Sequence, residues 1–268
     1  MKKIILIVFA FTLIGCKSYV QVYETKHKKN ISIIDNKYVF ENDTLKITYN
    51  FWNEKGLMRF TIYNKLDVPL YIDWKKSSYI DNSVKLNYWE DVESSLMSHS
   101  SYYYSGYYGN YSNYSTSKGS SRTTKTKEER ITFIPPKSNY SRAQYYILPN
   151  RLFGINESSK EVPLNGNSKK KTKLYEKEFN NKNTPLIYRN FLTSSLTEDF
   201  ESEFYIDNEF YISKVIEMDS KHFYGDEPRY TRTESKVNAY FEDNRNFYID
   251  LGKTSIPKQK IKVEIKKK

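Results

Sequence analysis

The chain has little of what disulfide-built or metal-dependent proteins use. It holds one cysteine, Cys16, and three histidines, His27, His99 and His222, in 268 residues. One thiol makes no intramolecular disulfide, and with so few imidazoles a zinc site of the usual Cys/His kind has no ligand set. Stability therefore has to come from a packed core. Long hydrophobic runs are scarce too. The apolar stretch Ile4 to Leu13 is well short of the roughly 20 residues that a membrane-spanning helix needs. There is no glycine-rich phosphate loop, no dinucleotide fingerprint, no H-E-x-x-H and no nucleophile elbow, so neither a cofactor nor a metal is expected. Nor is there a nucleic-acid-binding module, so no nucleic acid partner is expected. Acidic side chains are outnumbered, 32 against 43 lysines and arginines, for a formal net charge of +11. That excess favours anionic partners.

What is present begins at the N-terminus. Lys2 and Lys3 precede the apolar stretch, which ends in Leu13-Ile14-Gly15-Cys16. A basic start, a short apolar run and a small residue before the break read as a secretory signal. The four residues at the break resemble the lipobox of bacterial lipoproteins. The resemblance implies removal of residues 1–15 and a diacylglyceryl group on the Cys16 thiol, with membrane lipid as a partner. Two or three acyl chains give stable attachment, since each buried methylene contributes about 0.8 kcal/mol. Lys17 follows the cysteine, where the enterobacterial inner-membrane signal is aspartate. The expected location is thus the outer membrane, facing the periplasm. Surface-exported lipoproteins of Bacteroidota carry acidic residues just after the cysteine, and Lys17-Ser18-Tyr19 has none; surface exposure is the alternative.

Residues 16–36 are polar, with a cluster at Lys26-His27-Lys28-Lys29, and read as a lipidated tether. From Lys37 the pattern changes to period two. Leu45, Ile47, Tyr49 and Phe51 alternate with polar residues, Asn53-Glu54-Lys55-Gly56 is a turn, and Met58, Phe60 and Ile62 alternate again. Two such runs joined by a short glycine-containing loop predict a hairpin. Further strands are expected at Leu70–Trp74, Val84–Tyr88, Ile131–Ile134, Gln144–Leu148, Leu186–Thr193, Phe200–Ile206, Phe210–Ile216, Val237–Phe241, Phe247–Leu251 and Ile261–Ile265. Short helices are expected only at Trp89–Met97 and Lys171–Phe179. Many strands with polar turns predict an all-β protein, an antiparallel β-sandwich occupying residues 37–268. A division into two domains would fall at the lysine-rich Asn165–Lys173.

Asn64-Lys65-Leu66-Asp67-Val68-Pro69-Leu70 is similar to a strand-to-strand corner of immunoglobulin-like bacterial modules. With "FIPPKS" and "TPLIYRNFLTSS" further on, the chain resembles envelope lipoproteins of Bacteroidota, which implies an immunoglobulin-like β body and no particular chemistry.

Residues 98–130 form a Tyr/Ser-rich, low-complexity stretch with no aliphatic residue between Met97 and Ile131. It is expected to be a disordered insertion between two strands, because so little apolar surface cannot offset the cost of ordering it. Tyrosine and serine are also the chemistry of adaptable binding loops. Tyr102, Tyr103, Tyr104, Tyr107, Tyr108, Tyr111 and Tyr114 are therefore the candidate binding residues. Asp43-Thr44-Leu45 resembles the O-glycosylation acceptor of Bacteroidota envelope proteins, with Thr44 as acceptor. Asp219, His222, Asp226 and Glu227 read as a solvated turn more than a metal site. Glu201, Glu203 and Asp207 share the parity opposite Phe200, Phe204 and Ile206, which predicts the solvent face of an edge strand. Lys169, Lys170, Lys171, Lys173 and Lys266–Lys268 read as solvated strand faces able to touch anionic lipid.

These readings lead to a membrane-anchored envelope lipoprotein with a non-catalytic binding or scaffolding role toward an envelope protein or glycan. The alternatives are a hydrolase or glycan-active enzyme using loop carboxylates, and a surface adhesin using the tyrosine-rich loop.

Overall fold

The computed structural model describes residues 18–91, 93–106, 114–127, 129–149, 152–155, 158–164, 167–225 and 241–252. Along the chain run β1 (Tyr19–His27), β2 (Ser32–Ile34), β3 (Lys37–Glu41), β4 (Leu45–Asn50), β5 (Leu57–Asn64) and β6 (Leu70–Asp73). There follow β7 (Ser78–Asp81), β8 (Val84–Asn87), β9 (Glu93–Gly106), β10 (Tyr114–Lys127), β11 (Ile131–Ile134) and β12 (Asn139–Tyr146). The last elements are β13 (Ser158–Leu164), β14 (Asn167–Glu178), β15 (Ile187–Ser195), β16 (Glu203–Asp219), the short helix α1 (Ser220–Tyr224) and β17 (Phe247–Gly252). The protein is all-β and antiparallel, as its alternating pattern predicts.

Two sheets pack face to face. The smaller has the order β12-β5-β4-β3-β2; the larger runs β11-β6-β15-β16-β1-β17, with β7 and β14 joined at its flanks and β8 and β13 beyond them. Their inner faces meet through aromatic rings. Phe51 stands edge-on to Phe210 and Tyr188, with centroids 5.1 and 5.6 Å apart, and Tyr49 meets Phe210 at 4.9 Å. Such edge-to-face contacts stabilise beyond the area they bury, which is how a chain with 16% aromatic residues fills a core.

The predicted hairpin is β4–β5, in register from Leu45 opposite Asn64 to Asn50 opposite Arg59. Gly56 in its turn has φ +66°, and a Cβ there would stand 2.8 Å from Cγ of Phe247. Both the backbone angle and the space demand glycine. After Asn64 the chain crosses from the smaller sheet to the larger, and the β11–β12 connection beside it crosses back. The fully buried Asn64 holds this double corner: its amide donates to the carbonyls of Val68, Ile134 and Pro135 at 2.8, 3.2 and 3.1 Å, and its oxygen accepts from the Leu66 amide.

Several expectations need correction. Residues 19–27, read as part of a polar tether, form an inner strand between β16 and β17. Val20 and Val22 face a minor core with Met218 and Phe223, while Tyr23 faces the main one. Burial on both faces hides the strand from a reading based on alternation. The polar Gln21 is accommodated because its amide donates to Phe153 O at 2.7 Å and to the Glu217 carboxylate at 2.9 Å. Neither predicted helix forms: Lys171–Phe179 lies mostly in β14, and Trp89–Met97 runs into β9. The stretch expected as a disordered insertion carries the ladder β9–β10, which pairs with neither large sheet. Phe200–Ile206 and Phe210–Ile216 fall largely in one uninterrupted strand, β16. From Phe210 onward it is flanked by β1 on one side and by β15 and β14 on the other. Its first part, with Glu203 and Asp207, pairs with β15 alone among the described residues and is an edge there, as the parity of the acids predicts. Val237–Asn238-Ala239-Tyr240 and Ile261–Ile265 lie outside the described residues.

Candidate functional site

Two concavities sit at opposite ends of β1. The first, about 440 Å³, lies between the C-terminal half of β1 and residues 243–246, and is lined by Thr25, His27, Tyr38, Asp243 and Arg245 among others. Its groups are largely bound to one another. Tyr38 donates to Thr25 O at 2.6 Å, Thr25 donates to Arg245 O at 2.6 Å, and the Arg245 guanidinium rests on the Asp243 carboxylate. Burial pushes the Tyr38 phenol up to about 12 and holds the His27 imidazole below its usual range. The His27 ring stands edge-on to Tyr38.

The second concavity, about 300 Å³, opens at the N-terminal end of β1 and is lined by Tyr19, Lys171, Lys173, Tyr175, Asp219 and Lys221 together with Glu161, Leu164 and Thr172. Strand register builds it. Tyr19 lies opposite Asp219 on β16 and opposite Gly252 on β17. Tyr175 lies opposite Glu217, so Lys173 is level with Asp219 at the end of β16 and the β14 residues before it run past that end, paired only with β13. The register slips between the Pro163–Lys171 and Leu164–Asn167 pairs, so at ~3.3 Å per residue of β13 the overhang reaches only about 10 Å. It carries Lys169, Lys170, Lys171 and Lys173, all exposed. Lys171 reaches Glu161 across the ladder at 3.7 Å, an exposed pair that contributes little. The Asp219 carboxylate caps α1 by accepting from the Lys221 amide at 2.8 Å. Burial, then Tyr175 and nearby carboxylates, push the Tyr19 phenol upward.

The sequence candidates are dispersed. Cys16, Tyr107, Tyr108, Tyr111, Asp226, Glu227 and Lys266–Lys268 lie outside the described residues. Tyr102, Tyr103, Tyr104 and Tyr114 sit in the β9–β10 ladder, opposite Lys118, Ser117, Thr116 and Gly106. Thr44 is in the β3–β4 turn, its amide donating to Asn42 at 2.9 Å. His222 is buried in α1, edge-on to Phe241. The β16 acids lie along the outer face of the sheet, Glu203 bonded to Lys76 and Asp207 to Arg189, as their parity predicts. Among the described residues no three His, Cys, Asp or Glu side chains come together as a metal site. Sequence reasoning missed Tyr19, Tyr175 and Lys221; the one available signal was the strand-favouring composition of Tyr19-Val20-Gln21-Val22-Tyr23.

The fold and these surfaces define an all-β protein of two packed sheets and a separate β9–β10 ladder, with a basic overhang beside its first strand. Comparison with family models, curated proteins and solved structures gave no match.

Proposed function

We propose that this chain is a lipid-anchored protein of the bacterial cell envelope, attached through Cys16 and facing the periplasm from the outer membrane. Its body, immunoglobulin-like in kind, binds or scaffolds an envelope protein or glycan and performs no catalysis. The observation that supports the reading is the start of β1 at Tyr19. Three residues beyond Cys16 the chain is already an inner strand, so a lipid on that thiol would hold the body directly against the bilayer. The carboxylates on the outer face also serve structure, Glu203 with Lys76 and Asp207 with Arg189.

The test is the mass of the mature N-terminal peptide after expression in a bacterial host. The proposal expects a chain beginning at Cys16 and carrying the lipid, with Cys16→Ala abolishing both cleavage and lipid. A mature chain cut elsewhere, without lipid, would contradict the anchor. Turnover of a glycan or peptide by the purified body would contradict the non-catalytic role.

A further inference from the structure

From this arrangement we infer that the β13–β14 overhang and α1 form a seat for the anionic lipid headgroups of the membrane to which the chain is attached. The inference rests on the membrane reading above and adds an oriented contact to it. Three features coincide at one end of the larger sheet. The chain enters there at Tyr19 and leaves there at Gly252, opposite each other in the β1–β17 ladder. The overhang projects beyond Asp219 at the same end. The exposed cations there are Lys169, Lys170, Lys171, Lys173 and Lys221, against the acids Glu161 and Asp219. Of these two acids, Asp219 caps α1 and Glu161 pairs with Lys171; the further acid Glu176 is held by Lys160 and Lys214 farther back along the strands.

A cluster of lysines is ordinarily a solvated face. Here its position separates the two readings. A chain attached three residues ahead of Tyr19 cannot carry this end more than about 11 Å from the attachment point, so the lysines lie within roughly a Debye length of the headgroups. Gly252 stands at the same end, and beyond it the sequence continues with Lys253, Lys258, Lys260, Lys262 and Lys266–Lys268 against Glu264 alone. Anionic lipid is the occupant whose charge and position both match; a soluble polyanion matches the charge only.

The experiment uses the full chain on vesicles, with lysine acetylation by a water-soluble amine reagent read by mass spectrometry. On vesicles containing phosphatidylglycerol, Lys169–Lys173 should react about fivefold more slowly than on phosphatidylcholine alone. Lys75 and Lys76, roughly 50 Å away at the Glu203 end of β16, should be unchanged. The protection should vanish in ~1 M salt. Equal reactivity on both vesicles would overturn the inference. So would equal protection by heparin in solution, which would make the surface a general polyanion site. Vesicle flotation and the mass of the Cys16 peptide report the anchor separately: a lipidated chain that floats with unprotected lysines refutes the seat alone.

Discussion

Tyr49 and Asn208 join the two sheets at the centre of the core, the Asn208 amide donating to the Tyr49 hydroxyl at 2.8 Å. Asn190 donates to the same hydroxyl at 3.0 Å and accepts from Tyr88 at 2.9 Å. All four residues are buried. Burial pushes the Tyr49 phenol upward, and the two amides oppose that shift. Tyr49→Phe keeps the ring and leaves two buried donors without an acceptor. The expected loss is about 1–3 kcal/mol, lowering the melting midpoint by roughly 2–4 °C per kcal/mol in a chain of this size. A parental melting curve would show that the ring alone holds the sheets together.

The corner at Asn64 makes a sharper comparison. Asn64→Ala removes the donors to three carbonyls and the acceptor for Leu66, and about 2–4 kcal/mol is expected from a buried network of this kind. Asn64→Asp keeps the shape but turns an acceptor toward those carbonyls. It should be the less stable of the two at neutral pH and recover as the carboxyl is protonated. Urea denaturation of both variants at pH 5 and 7 measures the difference.

How much of this could be read in advance depended on whether a face was exposed. β4, β5 and β11 each bury one face, and period two located them to within a residue. β1 buries both faces and holds Gln21 and Thr25 inside, so its pattern looked like a polar linker. In β16, Asp207-Asn208-Glu209 resembled a break because three polar residues follow one another. Asn208 in fact points inward to Tyr49, and the strand continues through it. Ile147 and Leu148 are buried without belonging to a strand, since their amides donate to the carbonyls of Gly56 and Lys55 in the hairpin turn. The lysine run near residue 170 was visible as charge. Its position beside Tyr19 was not, because the pairings of Tyr175 with Glu217 and of Tyr19 with Asp219 join segments far apart in the chain.

His222 gives the fold an acid-sensitive point. Its side chain is buried in α1, and desolvation holds its pKa below the ordinary 6.5, with Asp219 opposing. A histidine depressed on folding binds fewer protons folded than unfolded, so stability rises with pH through this window. The contribution is complete above about 6.5 and is lost as pH falls toward the folded value. His222→Asn, which cannot titrate, should flatten the decline in stability between pH 7 and 5 relative to the parent. An identical pH dependence in the two proteins would assign the decline to other groups.

The β9–β10 ladder pairs with neither large sheet, which predicts that the core folds without it. His99 faces Ser121 across the ladder, so replacing residues 100–120 by Asn-Gly leaves ends that a two-residue turn can close. The variant should unfold cooperatively with a midpoint within a few degrees of the parent. If it retains the parent's partners in a detergent pull-down, the tyrosines are not the binding residues; selective loss of one partner assigns that contact to them.

The central claim is that no tether separates the body from the membrane, and neutron reflectometry of the full chain on a supported bilayer measures this directly. The account predicts protein density beginning within about 11 Å of the headgroups, the reach of the residues from Cys16 to Tyr19. A hydrated gap of roughly 25 Å, the mean span of a flexible 16–36 linker, would contradict it.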